Sequence, residues 1–288
     1  LLFLGDRIDL LEEVVPLVSG GIPFVHVHGG EITEGAVDER VRHSLTKLSH
    51  IHLCAHETYA QKVLQMGEEP WRVQVVGAPI LDALHVYLGS GECVAKMRTV
   101  AHSVWPIVVI FNPVTLELEQ QEHQLHELGA ALEATGAPCF IIGPNQDPGA
   151  DGVTSFWHKL VGQHPNWRYV NQMPPKEYWA ALAQSRVLVG NSSSAIFEAP
   201  SLKLPAVNIG TRQGGRLKAQ NVIDVQPGRQ DILAGIQRAL SPEFRTSLSG
   251  MENPFWRGGA AHQIANILKN TCLGDTLMRK KFWRLDGY

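Results

Sequence analysis

Apolar positions along the chain follow two rhythms. Short unbroken runs of Val, Ile, Leu and Phe alternate with longer stretches in which apolar residues recur every three or four positions. An apolar run bounded by turn residues reads as a strand covered on both faces, and the three-to-four repeat reads as an amphipathic helix. The pattern predicts strands at Leu1–Leu4, Phe24–Val27, Ile51–Cys54 and Val73–Val76, with helices at Asp9–Ser19, Val37–Leu48 and Thr58–Met66 between them. From Leu88 to Trp105 the pattern loosens, and a strand restarts at Ile107–Phe111. A helix at Glu117–Thr135 and strands at Cys139–Ile142 and Arg186–Val189 follow. Such alternation marks a parallel α/β fold. We place a domain boundary in the loosened stretch, giving two α/β domains whose strand ends face a ligand cleft. The opening Leu1-Leu2-Phe3-Leu4-Gly5-Asp6 reads as a buried strand entered in mid-fold, so the natural protein is expected to begin earlier.

Composition narrows the function classes. The 288 residues are 44% hydrophobic and 18% charged, with a formal net charge of −3. Apart from Arg279-Lys280-Lys281 the basic residues are dispersed, which argues against nucleic acid or an anionic membrane as the main partner. Cys54, Cys93, Cys139 and Cys272 form no CxxC pair and read as thiols in a reducing compartment. No apolar run approaches the roughly 20 residues that span a bilayer. A soluble cytoplasmic protein is the expectation.

The densest chemistry lies in His26-Val27-His28-Gly29-Gly30-Glu31 and the helix after it. His26 and His28, two apart at a strand end, are compatible with a zinc site. No second cluster of ligand spacing follows, so one structural histidine and one pocket-edge histidine is the preferred reading, with no metal. Asp6 and Glu31 each sit just after a strand and Asp38 near the N-terminus of the helix that follows, positions that converge on the carboxyl edge of a parallel sheet. Asp38 and Arg42, like Glu39 and His43, are four apart, which serves helix capping and surface pairing as well as proton transfer.

A second motif is Val187-Leu188-Val189-Gly190-Asn191-Ser192-Ser193-Ser194, a strand running into serines at a helix start. Backbone N–H groups and hydroxyls there suit a diphosphate, and three serines exceed what an N-cap needs. Glu198, one turn on, suits the two hydroxyls of a ribose. The loop Asn208–Arg216 adds Arg212 and Arg216. Neither a Walker loop nor a GxGxxG is present, so a nucleotide held by its diphosphate fits better than an ATPase or a dehydrogenase.

Taken in order, GDR at Gly5–Arg7, HGGE at His28–Glu31, DERVRHSLTKLSH at Asp38–His50, GAPILD at Gly77–Asp82, NPVTLE at Asn112–Glu117, GNSSSAIFEAPS at Gly190–Ser201 and NIGTRQGGR at Asn208–Arg216 resemble the hydrolysing UDP-N-acetylglucosamine 2-epimerases of bacterial sialic-acid pathways. The resemblance implies a glycosyltransferase-B type fold of two Rossmann-like domains, the first truncated at its N-terminus here. Residues 1–90 would be its remainder, 105–257 the nucleotide-binding domain, and 258–288 a segment returning to the first.

It also implies a UDP-sugar substrate, no cofactor, and a dimer or tetramer. UDP leaves C1 as the C2 proton is removed, and water then adds to the 2-acetamidoglucal to release N-acetylmannosamine. Carried onto this chain, Arg7, Ser192, Ser193, Glu198 and Arg212 match the UDP-binding positions. Arg42, Gly77 and Asp82 match positions around the sugar, and Asp6, His28, Glu31, Asp38 and Asn112 match catalytic ones. Two departures stand out. Many relatives carry Glu at position 28, a role that passes here to Glu31 or Glu34. Relatives usually carry His at position 112, and asparagine exchanges no proton near neutral pH. Three alternatives stay open: an active enzyme on UDP-N-acetylglucosamine, the same reaction on a UDP-2,4-diacetamido-trideoxyhexose, and a UDP-sugar binder with impaired catalysis.

Overall fold

The computed structural model describes residues 1–90 and 106–284, so Cys93 and most of the loosened stretch lie outside the described residues. The chain forms two compact units: Leu1–Thr33, Val37–Asp82 and Pro254 onward make the first, Glu34–Ala36 and Ala83–Asn253 the second.

The first unit holds a parallel sheet in the order β1 (Leu2–Leu4), β2 (Val25–Val27), β3 (Ile51–Cys54), β4 (Val73–Val75). Helices α1 (Ile8–Val14), α2 (Asp38–Leu48) and α3 (Glu57–Gln65) follow the first three strands in turn, and α4 (Ile80–Leu88) after β4 begins in this unit and continues into the second. The helix expected over Asp9–Ser19 is α-helical only to Val14, and Val15–Gly20 is a 3₁₀ turn. Pro16 is the cause: it has no N–H to donate, and its ring clashes with the carbonyl four residues back. Val41 and Leu45 on α2 pack with Phe3, Val14 and Phe24 on one side of the sheet.

The second unit is a six-stranded parallel sheet. Its order is β10 (Val222–Val225), β9 (Ala206–Ile209), β8 (Val187–Gly190), β5 (Ile107–Ile110), β6 (Cys139–Ile142), β7 (Trp167–Val170). The chain builds β5, β6 and β7 outward on one side, then returns to lay β8, β9 and β10 on the other. That is a Rossmann order, and its direction reverses between β5 and β8, the position at which open parallel sheets bind ligands beyond the carboxyl ends of their strands.

Helices α5 (Gln121–Thr135), α6 (Ala150–Val161) and α9 (Arg229–Leu240) cover one face through Leu128, Trp157 and Ile236. On the other face α7 (Pro175–Gln184) and α8 (Glu198–Ser201) pack Leu182 and Ala199. Covered on both sides, β5, β6, β8 and β9 are buried at every position. The edge strands β7 and β10 are only partly covered and carry Arg168 and Asp224, so no unbroken apolar run announces them. Helix α10 (Ala260–Asn270) belongs to the first unit, where Ile264, Ile267 and Leu268 pack on Val25, Val27 and Leu53.

Candidate active site

In the first unit Arg42 organises the carboxyl edge. It comes from α2, its side chain is 1% exposed, and Asp6, just beyond β1, accepts from it at Oδ2. The Nε donates to that oxygen at 3.0 Å, and Nη2 donates to it as well. Nη1 donates to Glu39 Oε2 at 2.7 Å and to the Glu31 carbonyl at 3.0 Å, and Nη2 reaches Thr33 Oγ1 at 2.9 Å. Burial opposes the charge on Arg42, but Asp6 and Glu31 outweigh it and raise the pKa further. Burial likewise opposes ionisation of Glu39. Hydrogen bonds from His43 at 2.9 Å and the Thr33 N–H at 2.6 Å, with Arg42, hold it down at about 2. The Glu39–His43 spacing thus makes a contact, while Asp38 opens α2 at its first residue.

His28 follows β2 at φ 69°, a region that a side chain adopts only when its surroundings over-determine it. Its Nδ1 lies 2.5 Å from Oε1 of Glu31, a residue 2% exposed. The turn after it has no slack, because a Cβ on Gly30 (φ 81°) would lie 2.2 Å from the Tyr59 carbonyl oxygen. Glu34 belongs to the second unit, where its N–H donates to the Gly214 carbonyl at 3.3 Å. His26 is structural: Nε2 bonds the Gly5 carbonyl at 2.8 Å and Nδ1 the Thr46 hydroxyl at 3.1 Å. Burial pushes its pKa down to about 4, so the ring is neutral. Among the described residues no three His, Cys, Asp or Glu side chains gather in a way that could hold a metal.

Two residues expected around the sugar hold the C-terminal segment. A Cβ on Gly77 (φ 85°) would lie 2.8 Å from the Phe255 carbonyl oxygen. Asp82 accepts from the Ala260 N–H at 3.0 Å and the Ala261 N–H at 2.7 Å, one on each carboxylate oxygen. It caps α10, whose first N–H groups have no partner within the helix. Arg7 is exposed, with Nε 3.0 Å from Asp9 Oδ1.

In the second unit the strand-order reversal is lined by amides. The Asn112 N–H donates to Asn191 Oδ1 at 2.7 Å, and Asn191 Nδ2 returns a bond to the Asn112 carbonyl at 2.8 Å. Asn112 Oδ1 accepts from the Asn145 N–H at 2.9 Å, so the carboxyl ends of β5, β6 and β8 are tied together. Over them lies the loop after β9. Gln213 Nε2 and Arg212 Nη1 donate to the Asn191 carbonyl at 2.8 and 3.3 Å, and Arg212 Nη2 lies 3.6 Å from Asp147.

Gly190 (φ 136°) admits no side chain, because a Cβ would sit 1.9 Å from the Ile110 carbonyl oxygen. The serine motif departs from expectation. Ser192 caps a 3₁₀ turn, Ser193–Ala195, by accepting from the Ser194 N–H at 3.3 Å, and α8 is only four residues long. An anion here would meet loop N–H groups and hydroxyls, not the dipole of a long helix. Burial pushes the Glu198 carboxyl up to about 7 although Ser194 bonds it. Beside it the Tyr178 hydroxyl is buried, and burial together with Glu198 raises its pKa although Ser194 and Ser192 act against the shift. Sequence reasoning missed Tyr178, which follows Pro174-Pro175 with no motif around it.

Residues 1–269 match the UDP-N-acetylglucosamine 2-epimerase family. A UDP-N,N'-diacetylbacillosamine 2-epimerase (hydrolyzing) of Legionella pneumophila is 34% identical over 97% of this chain and 73% of its own length. A UDP-N-acetylglucosamine 2-epimerase of Neisseria meningitidis is 32% identical over 82% of this chain and 62% of its own. Among solved structures, the Neisseria meningitidis UDP-GlcNAc 2-epimerase bound to UDP-GlcNAc superposes with a TM-score of 0.80 at 19% identity, over 94% of this chain and 76% of that one. The fold, two Rossmann-like α/β domains of glycosyltransferase-B type, is thereby shared. The match over nearly the whole chain, with relatives above 30% identity, places this protein in the UDP-N-acetylglucosamine 2-epimerase family.

Proposed function

We propose that this chain is a hydrolysing 2-epimerase: it takes a UDP-2-acetamidohexose and water to UDP and the free sugar inverted at C2. The observation that carries the reading is the set of groups at the strand-order reversal of the second unit. There Arg212, Ser192, Ser193 and Glu198 stand beyond β8 and β9, supporting a role in holding the diphosphate and ribose of UDP. To the first unit we assign the sugar chemistry, with Arg7 on the diphosphate, Arg42 beside the sugar, and Asp6, His28, Glu31 and Asp38 around the reacting carbons. The C2 proton is not acidic, so its loss must be coupled to departure of the diphosphate, and charge stabilisation at that leaving group carries much of the catalysis. This chemistry calls for no metal or cofactor. Asn112, with its amide oxygen engaged by Asn145, serves to hold the strand ends.

UDP-N-acetylglucosamine is the first substrate to test. A UDP-2,4-diacetamido-trideoxyhexose is the second reading, favoured by the 34% identity to the Legionella enzyme. A proton NMR time course in deuterated water decides. Free N-acetylmannosamine bearing deuterium at C2, appearing with UDP, is the expected result. Product from the diacetamido sugar alone would move the assignment to it, and a nucleotide-linked epimer from either sugar would defeat the hydrolytic step.

A further inference from the structure

The groups assigned to proton chemistry are not equivalent, and their partners sort them. Asp6 holds Arg42 through two of its donors on one carboxylate oxygen, so a permanent cation occupies it. Asn112 has no exchangeable proton to trade at neutral pH. His28 is placed differently. Its Nδ1 lies 2.5 Å from Oε1 of Glu31, whose side chain is 3% exposed. A carboxylate accepts, so a hydrogen bond across this contact takes its proton from Nδ1 and leaves Nε2 as the ring nitrogen with the lone pair.

Resting on the reading above, we propose that Glu31 is a positioning residue that fixes the tautomer and orientation of His28, and that His28 is the group that removes the C2 proton. Three further observations support it. The backbone at His28 is held at φ 69°, and the next two residues cannot relax. A Cβ on Gly29 would lie 3.1 Å from His26 Nδ1 and from Thr46 Oγ1, and one on Gly30 2.2 Å from the Tyr59 carbonyl oxygen. Glu31 is itself anchored, because its carbonyl accepts from Arg42 Nη1 at 3.0 Å. Finally, Asp6 and Glu39 take the one guanidinium of Arg42 while the Glu31 carboxylate meets His28, so an imidazolium formed at His28 would stand beside a carboxylate.

In the step itself the Nε2 lone pair takes the C2 proton, and the C2–H electron pair becomes the C1=C2 double bond. The C1–O bond breaks, and its pair leaves on the β-phosphate oxygen of UDP. The imidazolium then returns its proton to water, and a water molecule supplies the hydroxyl at C1 and the proton at C2 during hydration.

The test uses the full chain with ¹⁵N-labelled histidine, calorimetric UDP binding, and turnover of both sugars across pH 5.5–9. We expect His28 in the Nδ1–H form. Glu31→Gln should keep UDP affinity within about twofold yet lower kcat by about 10²-fold, shift the acidic limb of the pH profile down, and weaken the preference for the Nδ1–H tautomer, because an amide can donate as well as accept. Glu31→Asp should recover part of the rate. His28→Gln should lower kcat by about 10²–10⁴-fold with UDP affinity unchanged. Retention of rate within about threefold in His28→Gln would overturn the proposal, as would a Glu31→Gln enzyme with an unmoved pH profile. Should the wild-type chain bind UDP and turn over neither sugar, the functional reading fails on its own, and an Nε2–H tautomer at His28 would separately overturn the dyad.

Discussion

The carboxyl edges of the two sheets solve the same problem with opposite materials. In the first unit the strand ends are joined by a buried guanidinium, Arg42, among Asp6, Glu39 and the Glu31 carbonyl. In the second they are joined by neutral amides, Asn112 and Asn191 bonding each other and Asn145. A charged network stays whole only while every ion keeps its partner, and it can stabilise charge that appears in a reaction. An amide network costs less to disturb and leaves charge for the ligand to bring. The contrast matches the division proposed above, with proton chemistry on the first edge and UDP on the second.

The largest effect should come from breaking the ionic edge. Arg42→Met leaves Asp6 and Glu39 without their cation and should cost about 3–5 kcal/mol in urea unfolding. Asn191→Ala strands the Asn112 N–H and carbonyl and should cost about 1–3 kcal/mol. Equal costs would erase the distinction between the two edges.

Acid and base should act on the two edges with opposite sign. His26 has its folded pKa lowered from 6.5 to about 4, so its contribution is present above pH 6.5 and lost as pH falls through 4. Over that window stability should drop by about 3 kcal/mol, and His26→Gln should flatten the dependence. Glu198 has its folded pKa raised from 4.5 to about 7, so the fold is favoured below pH 4.5 and loses that contribution as pH rises through 7. Glu198→Gln should therefore stabilise the free protein at pH 8.

The same carboxyl must be ionised to accept ribose hydroxyls. UDP affinity should rise about tenfold between pH 6 and pH 8, following its ionised fraction. A flat calorimetric profile would detach Glu198 from the nucleotide.

The smallest structural effect belongs to Arg7, whose side chain is 63% exposed. Arg7→Ala should leave the unfolding midpoint where it is and still weaken UDP binding by about tenfold, a typical loss for one charge-assisted contact. A shifted midpoint with unchanged affinity would make Arg7 structural.

How far these features were legible in the chain depends on how local their causes are. β5, β6 and β8 could be read directly, because strands covered on both faces become unbroken apolar runs. β7 and β10 could not, since an edge strand mixes polar residues into a weaker pattern. The break at Pro16 was a local signal that helical periodicity outvoted. Of the site, the Glu39–His43 contact follows from helical spacing alone. Arg42 with Asp6 joins residues 36 apart, and Asp82 with α10 joins residues 178 and 179 apart; neither has a local pattern to betray it.

By itself the sequence determined the α/β class, the order of the elements and the motifs that carry the family, because burial and periodicity act over a few residues. The tertiary structure decided which polar groups meet. It turned His28 to a positive φ against Glu31, gave Asp82 to a helix end, tied Asn112 to Asn145 and Asn191, and left Glu198 poised near neutrality. Those outcomes depend on strand order and on loss of water, and both arise only once distant parts of the chain are packed together.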